Sequence, residues 1–240
     1  MAFRFFLFAA LLLVFANASR AQQGYTENDL REALEFLQPQ RPSLDPLCRE
    51  FGLDPDAVLA VVAPELIRYS LLKDFFETTA LELAYVRYGP GKADFSIGRF
   101  QMKPSFAEQL ERQLDSLPGI APQLRQRLAY EEPEGPSRRR ARVERLQHSE
   151  WQLRYALAYF CVAELRFTEL SCEPIEKKLQ FFSSAYNYGF TRSVKEINNW
   201  AAVEAFPYGR KYQGPQTAYA DLALLFYRRL KAVPKTDDCD

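Results

Sequence analysis

Phe51-Gly52-Leu53-Asp54-Pro55-Asp56-Ala57-Val58-Leu59-Ala60-Val61-Val62-Ala63-Pro64-Glu65 is the stretch on which the fold turns. Asp54 is a good helix N-cap, and Pro55 fits the first helical position, where its missing N–H would lack a partner anyway. The run Val58, Leu59, Val61 and Val62 is strongly apolar, as expected of a helix central in a core. Pro64 removes a helical hydrogen bond and crowds the Ala60 carbonyl. Either the helix kinks there or a new one begins at Pro64. Glu65 then lies against apolar surface near a helix C-terminus, and both effects disfavour its charged form and raise its pKa. A general acid working near neutral pH needs that environment. Taken alone, a helix-end Glu paired with Arg68 is the simpler reading.

On either side the pattern is helical. Thr26 or Asn28 caps a helix through Leu37, which Arg41-Pro42-Ser43 breaks. Leu72, Phe75, Phe76, Thr79, Leu83 and Val86 recur at helical spacing and predict a helix from about Leu71 to Arg87, ended by Gly89-Pro90-Gly91. Residues 92–97 are short and irregular, and 105–116 form an amphipathic helix. Further helices are expected over 149–171, 174–187, 192–204 and 216–231. Residues 131–142 hold Pro133, Gly135, Pro136 and four arginines, and are expected to be a mobile basic surface loop. No internal repeat or strand-rich region is evident, so the class is mainly α.

Arg4, the apolar run Phe5 to Phe15 and the small residues around Ser19-Arg20-Ala21 are the pattern of a signal peptide over 1–21. The exported chain, 22–240, is expected to be one domain with its core at about 51–230, periplasmic or secreted, with no membrane span after cleavage and monomeric. Loss of Arg4 and Arg20 leaves 29 basic against 31 acidic side chains, about −2. That balance argues against nucleic acid as a partner. With one His and no zinc-like cysteine spacing, neither a metal site nor any other cofactor is expected. Cys48, Cys161, Cys172 and Cys239 are either buried free thiols or disulfide partners, Cys161 with Cys172 being one possible pair.

Three segments resemble blocks of the soluble lytic transglycosylases. Phe51 to Glu65 is similar to the family's first catalytic-domain helix, which ends in the catalytic Glu. Ser96-Ile97-Gly98-Arg99-Phe100-Gln101-Met102-Lys103-Pro104 resembles its Gly-Leu-Met-Gln-x-x-Pro block. Ser184-Ala185-Tyr186-Asn187-Tyr188-Gly189 resembles its Ala-Tyr-Asn-x-Gly block. Tyr219, after Pro207 and Thr217, matches a weaker Thr-x-x-Tyr-Val pattern, and all four lie in family order. The resemblance implies a lysozyme-like (goose-type lysozyme or lytic transglycosylase) domain with an inserted helix and loop. It implies cleavage of the β-1,4 bond between N-acetylmuramic acid and N-acetylglucosamine in peptidoglycan strands, leaving 1,6-anhydro ends. Glu65 would be the acid and base, and Ser96, Gln101, Met102, Tyr186 and Asn187 would bind the sugar. Leu66 stands where the family usually has a small Ser. Glu65 lies 33 positions before Gly98 and Glu82 lies 16 before it, nearer the family's usual interval. Glu82, and then Glu77, are therefore rival acids. The alternatives are a glycoside hydrolase on the same fold, or a non-catalytic cell-wall-binding or scaffold protein.

Overall fold

The computed structural model describes residues 24–72 and 79–232. The expected signal peptide, Phe75, Phe76, the rival acid Glu77 and Cys239 lie outside the described residues. The class is mainly α. The helices in chain order are α1 (Glu27–Leu37), α2 (Arg41–Glu50), α3 (Pro55–Val62), α4 (Pro64–Leu72), α5 (Thr79–Tyr88), α6 (Pro104–Ser116), α7 (Pro122–Leu128), α8 (Pro136–Gln147), α9 (Ser149–Arg166), α10 (Ile175–Tyr188), α11 (Val194–Ala201) and α12 (Tyr219–Ala232). Between α11 and α12 a short antiparallel pair forms from β1 (Glu204–Phe206) and β2 (Thr217–Ala218).

Helix α3 is the axle of the fold. Every side chain from Asp56 to Val62 is buried, because α9, α10 and α12 pack round it and α2 lies against it as well. Helices that are apolar on all faces are stable in water only when enclosed in this way. The N-terminus of α3 is tied to its surroundings by charge. Asp54 caps the helix by accepting from the Asp56 amide at 3.1 Å, and also accepts from the Tyr227 hydroxyl at 3.0 Å. Asp56, wholly buried, pairs with Arg41 and with Lys231. A buried carboxylate is tolerable only with such partners. Of the two possibilities at Pro64, the chain takes the second: α3 ends at Val62 and a new helix, α4, starts at Pro64. At the first position of a helix proline forfeits nothing.

Three expectations need correction. Arg41-Pro42-Ser43 is not a break but the start of α2, reached from α1 through a single 3-10 turn, Gln38–Gln40. Pro42 falls in the first turn, where the ring is accommodated. The expected helix from Leu71 to Arg87 is not described as one piece. Leu71 and Leu72 end α4, and the later part is α5. In α5 Leu83 is 66% exposed while Tyr85 is buried, so the core-facing side is set by Tyr85 and not by the apolar spacing. Third, residues 136–142 of the expected loop are helical. Gly135, at φ +116, turns the chain and Pro136 opens α8.

The arginines of α8 have partners that no charge run reveals. Arg139 donates to the Val86 and Arg87 carbonyls at the end of α5, and Arg145 to the Leu128 and Ala129 carbonyls at the end of α7. Helix C-termini leave carbonyls without intrahelical donors, and these guanidiniums supply them. The helix expected over 149–171 stops at Arg166, followed by a 3-10 turn. The helices expected over 105–116, 174–187, 192–204 and 216–231 are present with ends shifted by a few residues. No described helix is long and apolar enough to cross a membrane.

Candidate functional site

Glu65 is the second residue of α4, beside the bend that Pro64 creates between α3 and α4. The residue is 4% exposed. The Arg68 guanidinium, one turn along α4, lies 3.5 Å from a carboxylate oxygen. The Asn187 amide, from α10, and the Tyr219 hydroxyl, from α12, lie beside the same carboxyl and favour its charged form. Tyr219 also donates to the Val61 carbonyl at 3.0 Å, anchoring the ring to the end of α3. Burial is the dominant effect and pushes the Glu65 carboxyl above the ordinary range, against the pull of Arg68, Asn187 and Tyr219. The group thus holds its proton to higher pH than a solvated Glu, with donors placed to receive the carboxylate once the proton leaves.

The segment 98–104 joins this centre through Tyr186. The Tyr186 hydroxyl donates to the Phe100 carbonyl at 3.3 Å. Its ring packs edge-on against Phe106 and Tyr159 and lies beside Tyr219. Ile97 and Met102 exchange backbone hydrogen bonds of 2.9 and 3.1 Å, so 98–101 is a hairpin turn. Gly98 sits at φ +67. A Cβ there would lie 2.5 Å from the Leu146 carbonyl and 2.8 Å from Gln152 Oε1. Glycine is therefore required both by conformation and by space.

Gln101 follows at φ +47, a left-handed conformation that costs a residue with a side chain. It is 7% exposed and its amide nitrogen donates to the Gly98 carbonyl at 2.9 Å. Its Oε1 is buried and accepts no hydrogen bond among the described residues. Orphaned buried acceptors are uncommon in folded proteins, and a ligand N–H or O–H would satisfy this one.

The other expected residues divide. Asn187 is drawn to Glu65, and Ser96 is partly exposed at the base of the hairpin. The Met102 side chain is 1% exposed and belongs to the core rather than to an open surface. Glu82 lies on α5, where it accepts from Gln147 of α8 at 3.2 Å and has none of the partners of Glu65.

Two residues went unnoticed in the sequence. Gln152, fully buried on α9, donates to the Ile97 carbonyl at 2.7 Å and accepts from the Phe100 amide at 3.1 Å, pinning the hairpin from behind. It is the one side-chain amide of α9, set among apolar and charged residues, which is a weak signal. Trp200 of α11 donates from Nε1 to Asn187 Oδ1 at 2.9 Å. Nothing in the sequence links the two.

Elsewhere, a cavity of about 790 Å³ opens around Glu108, Glu111, Arg125, Tyr130 and Arg142. Its charged groups mostly pair with one another or cap helix ends, and Glu65 is not part of it. Among the described residues, no three His, Cys, Asp or Glu side chains converge as metal ligands. Compared with protein-family models, curated proteins and solved structures, the chain gives no significant match.

Proposed function

We propose that this protein is a peptidoglycan-cleaving glycosidase of the lytic transglycosylase type, on a lysozyme-like helical domain, exported to the cell wall. Glu65 is the catalytic acid and base. The observation that carries the reading is the buried Glu65 carboxyl at the α3–α4 bend, facing Asn187 and Tyr219 and linked through Tyr186 to a hairpin with an unsatisfied Gln101 acceptor. The protonated carboxyl delivers its proton to the glycosidic oxygen as the bond from that oxygen to the muramic C1 breaks. The resulting carboxylate, paired with Arg68 and lying beside Asn187 and Tyr219, then accepts the proton of the sugar's own C6 hydroxyl as that oxygen bonds to C1 and closes the anhydro ring. An intramolecular nucleophile gains from proximity and needs neither a second carboxylate nor a positioned water. Gln101 Oε1 is suited to an N–H or O–H of the amino sugar.

A second reading has its own support. The Arg68 guanidinium beside Glu65 favours the carboxylate form. A glycan-binding protein that never turns over has use for such a charge pair, whereas an acid must hold its proton.

Purified protein is incubated with peptidoglycan sacculi and the products are weighed. Anhydro ends are expected from the wild type, with Glu65→Gln lowering the rate by at least about 100-fold and Glu82→Gln leaving it near wild type. Reducing ends would identify a hydrolase. Binding without products would leave the non-catalytic reading. Equal digestion by wild type and Glu65→Gln would remove Glu65 from the chemistry.

A further inference from the structure

We propose that Trp200 is a positioning residue that fixes the side-chain amide of Asn187 with its NH2 group toward Glu65. The inference rests on Glu65 being the reacting carboxyl, and it stands on the geometry of three side chains. Indole Nε1–H can only donate, so the Asn187 atom 2.9 Å away has to be the amide oxygen. The two ends of an amide are hard to tell apart by shape, but a donor-only neighbour removes the ambiguity. With Oδ1 engaged by Trp200, Nδ2 is the end of the amide left for Glu65, whose charged form Asn187 favours.

The indole is held firmly. Its ring stacks on Tyr188 with centroids 4.3 Å apart and planes 7° from parallel. The Arg210 guanidinium lies 5.2 Å from the Trp200 ring, and Arg192 lies 4.1 Å from the Tyr188 ring. Helix α11, which carries Trp200, starts at a full capping box between Ser193 and Glu196. Its position is thus fixed at both ends of the short helix.

The consequence falls on the charge that develops during proton transfer. When Glu65 gives up its proton, an NH2 already facing it stabilises the new carboxylate without reorganisation. If the amide turned over, its oxygen would face the carboxyl, favour the protonated form and oppose the transfer. The groups facing Glu65 include Arg68 from α4, Tyr219 from α12, and Tyr186 and Asn187 from α10. Among them it is Asn187 that Trp200 hydrogen-bonds, so loss of the indole donor acts through that amide.

The test is a carbon-detected NMR titration of the Glu65 carboxyl in the purified protein, which needs no glycan and no turnover. Trp200→Phe keeps an aromatic ring on Tyr188 and removes the donor. The expected result is a titration midpoint higher by about one pH unit, the size of one lost hydrogen bond to a charged group. The same substitution in an Asn187→Ala background should add nothing further. If Trp200→Phe loosens the fold, the indole is replaced by its sulfur isostere, benzothienylalanine, in a Trp151→Phe background, which keeps the shape without the N–H. An unmoved midpoint, or an equal shift with and without Asn187, overturns the proposal. A shifted midpoint in a protein that cleaves no sacculi would uphold the positioning role while refuting the assigned reaction.

Discussion

Arg142 and Glu111 form an ion pair that ties α8 to α6 with the guanidinium almost wholly out of water. The Arg142 Nε donates to Glu111 Oε1 at 3.0 Å, and that oxygen also accepts from the Tyr155 hydroxyl at 2.7 Å and the Tyr130 hydroxyl at 3.0 Å. Arg142 further donates to Glu108 at 3.1 Å and to the Tyr85 hydroxyl at 2.6 Å. Helices α5, α6, α8 and α9 therefore meet in one polar network. Removing one member leaves the others buried and unpaired. Arg142→Ala should cost roughly 3–5 kcal/mol and lower the melting temperature by about 10 °C. Thermal unfolding followed by circular dichroism measures it, and a loss under about 1 kcal/mol would mean that water replaces the arginine.

Gly98→Ala should destabilise by at least about 2 kcal/mol. The φ of +67 already disfavours alanine, and the neighbours of the new Cβ are the Leu146 backbone and the Gln152 amide, which cannot swing away freely. Denaturant unfolding reads the loss. Gln152→Ala should reproduce part of it without backbone strain, by freeing the Ile97 carbonyl and the Phe100 amide. If Gly98→Ala is neutral, the hairpin is looser than its contacts imply.

Stability should depend on pH through Glu65 in an unusual direction. A carboxyl whose native pKa lies above its ordinary 4.5 binds its proton more tightly when folded. Its contribution is therefore complete below 4.5 and is lost as pH rises through the raised native value. Glu65→Gln, which cannot ionise, should melt at a higher temperature than wild type at neutral pH. The gap should close as pH falls toward 4.5. Melting curves across that range check it. A gap that instead widens on acidification would mean that Arg68, not burial, governs the group.

Thiol reactivity should separate the cysteines. Cys48, Cys161 and Cys172 are free thiols. Burial pushes both the Cys48 and the Cys161 thiols up to about 12, whereas Cys172 lies exposed after α9. Alkylation with iodoacetamide at mild alkaline pH, mapped by peptide mass, should mark Cys172 rapidly and leave Cys48 unreacted until the protein unfolds. Rapid labelling of Cys48 would reveal opening between α2 and α9.

Much of the helical layout was legible from local chemistry. Thr26 and Asp54 each cap a helix, and the apolar run after Asp56 marked α3 as the enclosed element. These features depend on neighbours within one or two turns, which a sequence displays directly. The errors arose where distant groups intervene. The basic stretch around Arg139 to Arg142 becomes part of a helix because its guanidiniums reach carbonyls and carboxylates on α5 and α6. Arg41 does not end a helix, because it pairs with Asp56.

The sequence by itself determined the mainly helical class, the core helix α3 and Glu65 as a carboxyl pressed against apolar surface. Each follows from side-chain type and short-range spacing. Only the tertiary structure decided that Glu65, and not Glu82, meets Asn187 and Tyr219, since those residues arrive from helices more than 120 positions away. It alone decided that Gln152 would brace the hairpin and Trp200 would orient the amide. Long-range hydrogen bonds are fixed by how helices pack round α3, and that packing is written in no local pattern.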